Sequence, residues 1–84
     1  MFKIPKKTKI GAHIYKTIFN DTDNWRGAID NHLGTIEISK KSMRSEQMAT
    51  YWHEVLHGLN CQLTEVNTEF LANGITQVII DNKL

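Results

Sequence analysis

Met48-Ala49-Thr50-Tyr51-Trp52-His53-Glu54-Val55-Leu56-His57-Gly58-Leu59 is the stretch on which the reading of this chain turns. Met48, Tyr51, Trp52, Val55, Leu56 and Leu59 fall at i, i+3, i+4, i+7, i+8 and i+11. That is the stripe of an amphipathic helix, not the alternation of a strand. With Met48 at zero and ~100° per residue, the stripe centres near ~10°, while His53 and His57 fall near ~140° and ~180°. The two histidines therefore leave the main core face together, one turn apart. Serines 39, 42 and 45 offer N-caps ahead of the helix, Glu46 suits the positive end of its dipole, and Gly58 and Asn60 end it.

Towards the C-terminus, Thr64, or as second choice Thr68, caps another helix that reaches about Asp81. Its expected apolar face is Leu71, Ala72, Ile75, Val78 and Ile79. Gly74 inside it costs ~1 kcal/mol against alanine, and a close helix approach would account for it. Towards the N-terminus the period changes to two. Residues 9–19, KIGAHIYKTIF, read as one strand with Ile10, Ala12, Ile14 and Ile18 on one face and His13, Tyr15 and Thr17 on the other. Asn20–Asn24 is a polar turn. Trp25–Asp30 and Leu33–Ser39 flank Asn31-His32 as a hairpin, with Ile36 and Ile38 sharing a face. The expected class is α+β: a small three-stranded antiparallel sheet packed on two helices. It forms a single domain over 1–84, with a β-rich half at 1–41 and the two helices at 42–84.

Composition narrows the function classes. Eighty-four residues with 40% hydrophobic and 23% charged side chains suit one small globular domain and argue against disorder. A net charge of +1 supplies no broad basic field, which speaks against a nucleic-acid partner. The clusters Lys3, Lys6, Lys7, Lys9 and Lys40, Lys41, Arg44 read as solvated faces. No apolar run is longer than the three residues of Val78-Ile79-Ile80, so no membrane span is expected, and MFKIPKKTKIG lacks the apolar core of a secretory signal. With one cysteine there is no internal disulfide, and the cytoplasm is the expected compartment. Cys61 reads as an inert thiol, and Trp25 and Trp52 as core anchors. A chain this short buries only ~60% of its unfolded surface, so another staple, such as a metal ion, is to be looked for.

His53-Glu54-Val55-Leu56-His57 supplies the means: an H-E-x-x-H pattern on a helix. Imidazoles at i and i+4 reach one metal ion, and the intervening glutamate lies beside it as general base for metal-bound water. Two histidines need a third protein ligand to hold a site with one open position. Glu65 and Glu69 share one side of the next helix. Glu69, one turn further in, is preferred because its rotamer is better fixed, and Glu65 stays open as the alternative. The longer three-histidine pattern fails, because position 60 is Asn and position 63 is Leu.

Together with Glu69-Phe70-Leu71-Ala72-Asn73, the motif resembles the H-E-x-x-H…E-x-x-A-N pattern of ImmA/IrrE-like metallopeptidases. Lys9-Ile10-Gly11, Gly27-Ala28-Ile29-Asp30 and Val78-Ile79-Ile80-Asp81-Asn82 extend the resemblance, over nearly the whole chain, to short zinc peptidases of phages and prophages. The resemblance implies a minimal zincin-like core, zinc held by His53, His57 and Glu69, Glu54 as general base, and action in the cytoplasm of a bacterial or phage-infected cell. Only eleven residues separate His57 from Glu69, fewer than in the larger relatives.

The expected activity is hydrolysis of peptide bonds, with a peptide or protein substrate laid along an exposed strand edge at 33–39. Tyr15, Tyr51, His13 and His32 are the candidates for steadying the oxyanion. An exposed edge also leaves room for a homo-oligomer. The alternative is a zinc-stabilised interaction module without catalysis. Glu54 favours the enzyme, since a purely structural site has no use for a carboxylate beside its open position.

Overall fold

The computed structural model describes residues 2–21, 26–60 and 62–84. The expectations for Trp25 and Cys61 fall outside them. The elements run β1 (Lys7–Ile10), β2 (His13–Asn20), β3 (Gly27–Asp30), β4 (Thr35–Ser39), α1 (Arg44–Leu59) and α2 (Glu65–Asp81). The class is α+β as expected, but the sheet is four-stranded and mixed, in the order β1-β2-β4-β3. β1 and β2 pair antiparallel, β3 and β4 pair antiparallel, and β2 and β4 run parallel.

The three-stranded antiparallel reading fails at Gly11. There the backbone takes φ +62, a left-handed conformation that a residue with a Cβ rarely adopts. What read as one strand over 9–19 is a hairpin, with Ile10 opposite His13 and Thr8 opposite Tyr15. The two-residue turn also resets the side-chain phase. Ile10 joins Tyr15 on the helix-covered face, while Ile14 and Ile18 point outward at 61% and 40% exposure. The second hairpin is present, with a longer turn: Asp30 pairs with Thr35, and Gly34 N–H donates to the Asp30 carbonyl. Asp30 Oδ1 accepts from the backbone N–H groups of His32 and Leu33 at 2.8 and 2.9 Å. Those two bonds hold its carboxyl below the ordinary value.

α1 lies across the inner face of the sheet. Ile10, Tyr15, Ile36, Ile38, Tyr51 and Val55 form the core, flanked by Phe2, Ile4, Ile29 and Trp52. Ile36 and Ile38 are wholly buried on β4, each worth ~1.5–3 kcal/mol by transfer from water. Tyr51 is core as the stripe required, and its hydroxyl shares a 2.7 Å bond with Thr8 Oγ1. The stripe fails only at its end, where Leu59 is 63% exposed. Gly58 does not end α1. A Cβ there would sit 3.0 Å from Ile10 Cδ1 and 3.1 Å from Ile29 Cδ1, so the bare backbone lets the helix settle onto the sheet. At the N-terminus none of the serines caps the helix; Met43 holds that position with no side-chain bond.

α2 begins where expected, with Thr64 Oγ1 accepting from Asn67 N–H at 3.1 Å. It packs on α1 and on no strand. Its buried residues are Thr68, Ala72, Thr76 and Ile79, so Leu71 and Val78 of the expected face lie outside the contact. The threonines can be buried because their hydroxyls donate to helix carbonyls four residues back, Thr68 to Thr64 and Thr76 to Ala72, each at 2.8 Å. Gly74 meets nothing within 4 Å, so no close approach within the chain explains it. Gly74→Ala is therefore expected to stabilise the dilute protein by about 1 kcal/mol, raising Tm by roughly 4–8 °C in a thermal melt.

Candidate metal centre

The connection from α1 to α2 is short and turns the chain back on itself. Asn60 N–H closes α1 on the Leu56 carbonyl at 2.9 Å, and Asn60 Oδ1 accepts from Gln62 N–H at 3.0 Å. The contacts His57–Glu65 and His53–Glu69 then step in opposite directions along the two helices, as an antiparallel pair requires.

Three side chains converge at this seam. His57 Nε2 lies 3.0 Å from His53 Nε2 and 2.8 Å from Glu65 Oε1, and His53 Nε2 lies 3.3 Å from Glu65 Oε2. Donors at ~2.0–2.1 Å from one tetrahedral ion stand ~3.3 Å apart, so the triangle is of the size a zinc ion needs. Two imidazoles and a carboxylate at these separations form a donor set that could hold one metal ion with a position to spare. Both imidazoles are half-buried, with side-chain exposures of 16% and 21%, whereas Glu65 is exposed at 75%. Among the described residues this is the one group of histidine, cysteine and carboxylate side chains placed to hold an ion.

Glu69, preferred over Glu65 on the sequence, stands elsewhere. Its Oε2 meets His53 Nδ1 at 3.1 Å, on the far side of the ring from the triangle. A carboxylate at Nδ1 favours the tautomer with the proton there, leaving the Nε2 lone pair directed at the other two donors. A purely sequential argument has no means of separating these glutamates. Both lie on one side of α2, and which one reaches Nε2 depends on how far α2 slides along α1.

Glu54 is buried at 6% exposure on the wall of a groove of about 710 Å³. The groove lies between the start of β3, α1 and the inner flank of α2, and Gly27, Thr50, His53, Glu65, Glu69 and Asn73 line it. Gly27 makes the approach of α1 to β3 feasible. A Cβ there would collide with Thr50 Cγ2 and lie 3.0 Å from the Glu37 carbonyl oxygen, 3.7 Å from Glu54 Oε2. Burial raises the Glu54 carboxyl above its ordinary value, His53 and His57 oppose that rise, and Glu65 adds to it.

The sign follows from linkage. A carboxyl with a raised folded-state pKa binds its proton more tightly in the folded chain, so stability falls as pH rises from the unfolded value of 4.5 through the folded one. Metal-free Glu54→Gln is expected to be more stable than the metal-free parent at neutral pH, with the difference vanishing on acidification below 4.5. Thermal melts of the two chelator-treated proteins against pH check this.

The candidates for oxyanion stabilisation do not reach the groove. Tyr15 is buried in the core and donates to Asn31 Oδ1 at 2.7 Å, Tyr51 is bonded to Thr8, and His13 and His32 are exposed outside the groove lining. The substrate edge also moves. β4, within the 33–39 segment, is flanked by β2 and β3, so its backbone is already paired on both sides; the free edge beside the groove is β3. The hairpin puts β3 outermost because β4 returns to pair in parallel with β2.

Arg26 escaped sequence reasoning. It is the one lysine or arginine on the groove lining, with Nε 3.9 Å from Glu46 Oε1 and Nη2 3.9 Å from Glu69 Oε1. No local pattern marks it, because those glutamates belong to α1 and α2. Among the described residues no helix is long and apolar enough to cross a membrane. Comparison with protein-family models, curated proteins and solved structures found no match to this chain.

Proposed function

We propose that this chain is a zinc-dependent metallopeptidase of the short H-E-x-x-H type, with His53, His57 and Glu65 as metal ligands and Glu54 as general base. The observation that carries this reading is the meeting of both Nε2 atoms with one carboxylate, next to a second, buried carboxylate on an open groove. Bound zinc supplies Lewis acidity at the scissile carbonyl and makes water a nucleophile near neutral pH. Glu54 takes the proton from the attacking water and passes it to the leaving amine as the C–N bond breaks. Glu69 holds the His53 ring by its Nδ1–H, and its other carboxylate oxygen faces Arg26 Nη2 at 3.9 Å. An extended peptide adds to the free edge of β3 through main-chain hydrogen bonds, which brings it past Glu54 without a deep specificity pocket.

Metal analysis of purified protein, followed by a peptide-library digest, tests the reading. About one equivalent of zinc with chelator-sensitive cleavage is expected. Protein that cannot be loaded with zinc overturns it. Loaded protein that cleaves nothing points to the zinc-stabilised interaction module instead.

A further inference from the structure

We infer that the end of the groove away from the His53–His57–Glu65 triangle is a recognition site for a lysine or arginine side chain, so that the peptides this chain takes are basic. The inference rests on the groove being the substrate site proposed above, and it adds which substrate the groove selects. α1 and α2 run antiparallel, so the start of α1 lies beside the end of α2. Glu46 and Asp81 line the groove there, together with Met43 and Ile80, which are 71% and 46% exposed. That combination matches one class of side chain. A lysine or arginine lays its aliphatic stem on apolar surface and keeps its charged head at a polar end. Seven residues of α1 separate Glu46 from His53, a rise of ~10 Å along the helix. An extended peptide spans that distance in about three residues, so the basic residue belongs about three positions from the bond held at the metal.

The charge of the groove favours such a ligand. Five carboxylates, Glu46, Glu54, Glu65, Glu69 and Asp81, line it against the guanidinium of Arg26. A divalent ion offsets Glu65 and Glu54, and Arg26 offsets one of the other three. The loaded groove therefore keeps an excess of two negative charges among the described residues. Arg26 is a weak counterion, with a side chain 62% exposed and both of its carboxylate contacts at 3.9 Å. No ion pair engages Asp81 among the described residues.

Glu54 is the independent sign that the groove awaits a cationic ligand. It is 6% exposed and lines the groove, yet among the described residues no hydrogen bond or ion pair engages its carboxylate. Its charge is not neutralised within the protein, and a cleft lined by one sign of charge focuses its field on an incoming cation. The chain as a whole has the opposite sign, with a formal net charge of +1 and exposed Lys7, Lys9 and Lys16 on β1 and β2. Attraction of a basic peptide is thus a property of the groove and not of the overall charge.

Fluorescence anisotropy on the full chain tests the inference, with labelled alanine–serine peptides that carry two lysines, two glutamines or two glutamates. The lysine peptide is expected to bind about tenfold more tightly than the glutamine peptide, the combined gain of two partly exposed ion pairs. The glutamate peptide is expected to bind most weakly, and the lysine preference to shrink as salt rises from about 50 mM to about 500 mM. In the double variant Glu46→Gln, Asp81→Asn the lysine and glutamine peptides should bind within about twofold of each other. Zinc content, far-ultraviolet circular dichroism and affinity for the glutamine peptide should match the parent, which separates lost recognition from lost folding. Equal binding of the lysine and glutamine peptides by the parent overturns the inference, as does a double variant that keeps the preference. The titrations are run on the chain as purified and after chelator treatment, and the preference is expected in both. A chain that takes up no zinc but prefers the lysine peptide overturns the metallopeptidase reading and upholds the basic-side-chain site. A zinc-loaded, cleaving chain without the preference overturns the inference alone.

Discussion

Glu54→Gln is expected to keep its zinc and lose turnover by about 10²–10⁴-fold, the range a positioned proton-transfer group contributes. The substitution preserves the shape that fits between Thr50 and Gly27, and it removes only the capacity to accept a proton. Glu54 is absent from the triangle formed by His53, His57 and Glu65, so metal content should match the parent. Loss of turnover at equal zinc occupancy assigns the proton transfer to Glu54. Full turnover in the variant would remove it from the mechanism. The same variant is expected to be the more stable when metal-free at neutral pH, because burial disfavours the ionised carboxyl. A gain in stability joined to a loss in rate distinguishes a functional carboxylate from one retained for packing.

Glu65→Ala and Glu69→Ala should differ sharply. Removing Glu65 takes one corner from the donor triangle, and zinc is expected to be lost under conditions where the parent stays loaded. Removing Glu69 leaves the triangle and frees the His53 ring, an outer-shell loss that weakens metal affinity about 10–100-fold. Thermal stability reads both, since a ligand at 100 times its dissociation constant stabilises the folded state by ~2.7 kcal/mol. Zinc should raise the Tm of the parent and, at higher concentration, of Glu69→Ala, but not of Glu65→Ala. The reverse order would make Glu69 the ligand and Glu65 the accessory. Because Glu65 is exposed and starts α2, replacing it leaves the core packing in place.

The sequence by itself determined the elements whose signals are local. The stripe from Met48 to Leu56 made α1 a helix, and Thr64 started α2 because its hydroxyl answers a free N–H three residues on. The i, i+4 spacing put His53 and His57 on one side of α1, and Glu54 between them was bound to lie alongside. Tertiary structure decided everything that rests on how elements meet. Gly11 broke a strand that alternation alone made continuous, since periodicity does not register a turn whose flanks are both β. Parallel pairing of β2 with β4 sent β3 to the free edge beside the groove, a choice made by contacts far apart in the chain. Which glutamate meets the Nε2 atoms and which meets His53 Nδ1 came from the register of α2 on α1. Two threonines that bond their own helix form that contact together with Ala72 and Ile79, and so Leu71 and Val78 were left turned outward. Local pattern thus places the candidate residues on their helices, while packing decides which carboxylate meets the two histidines and which strand edge stays free.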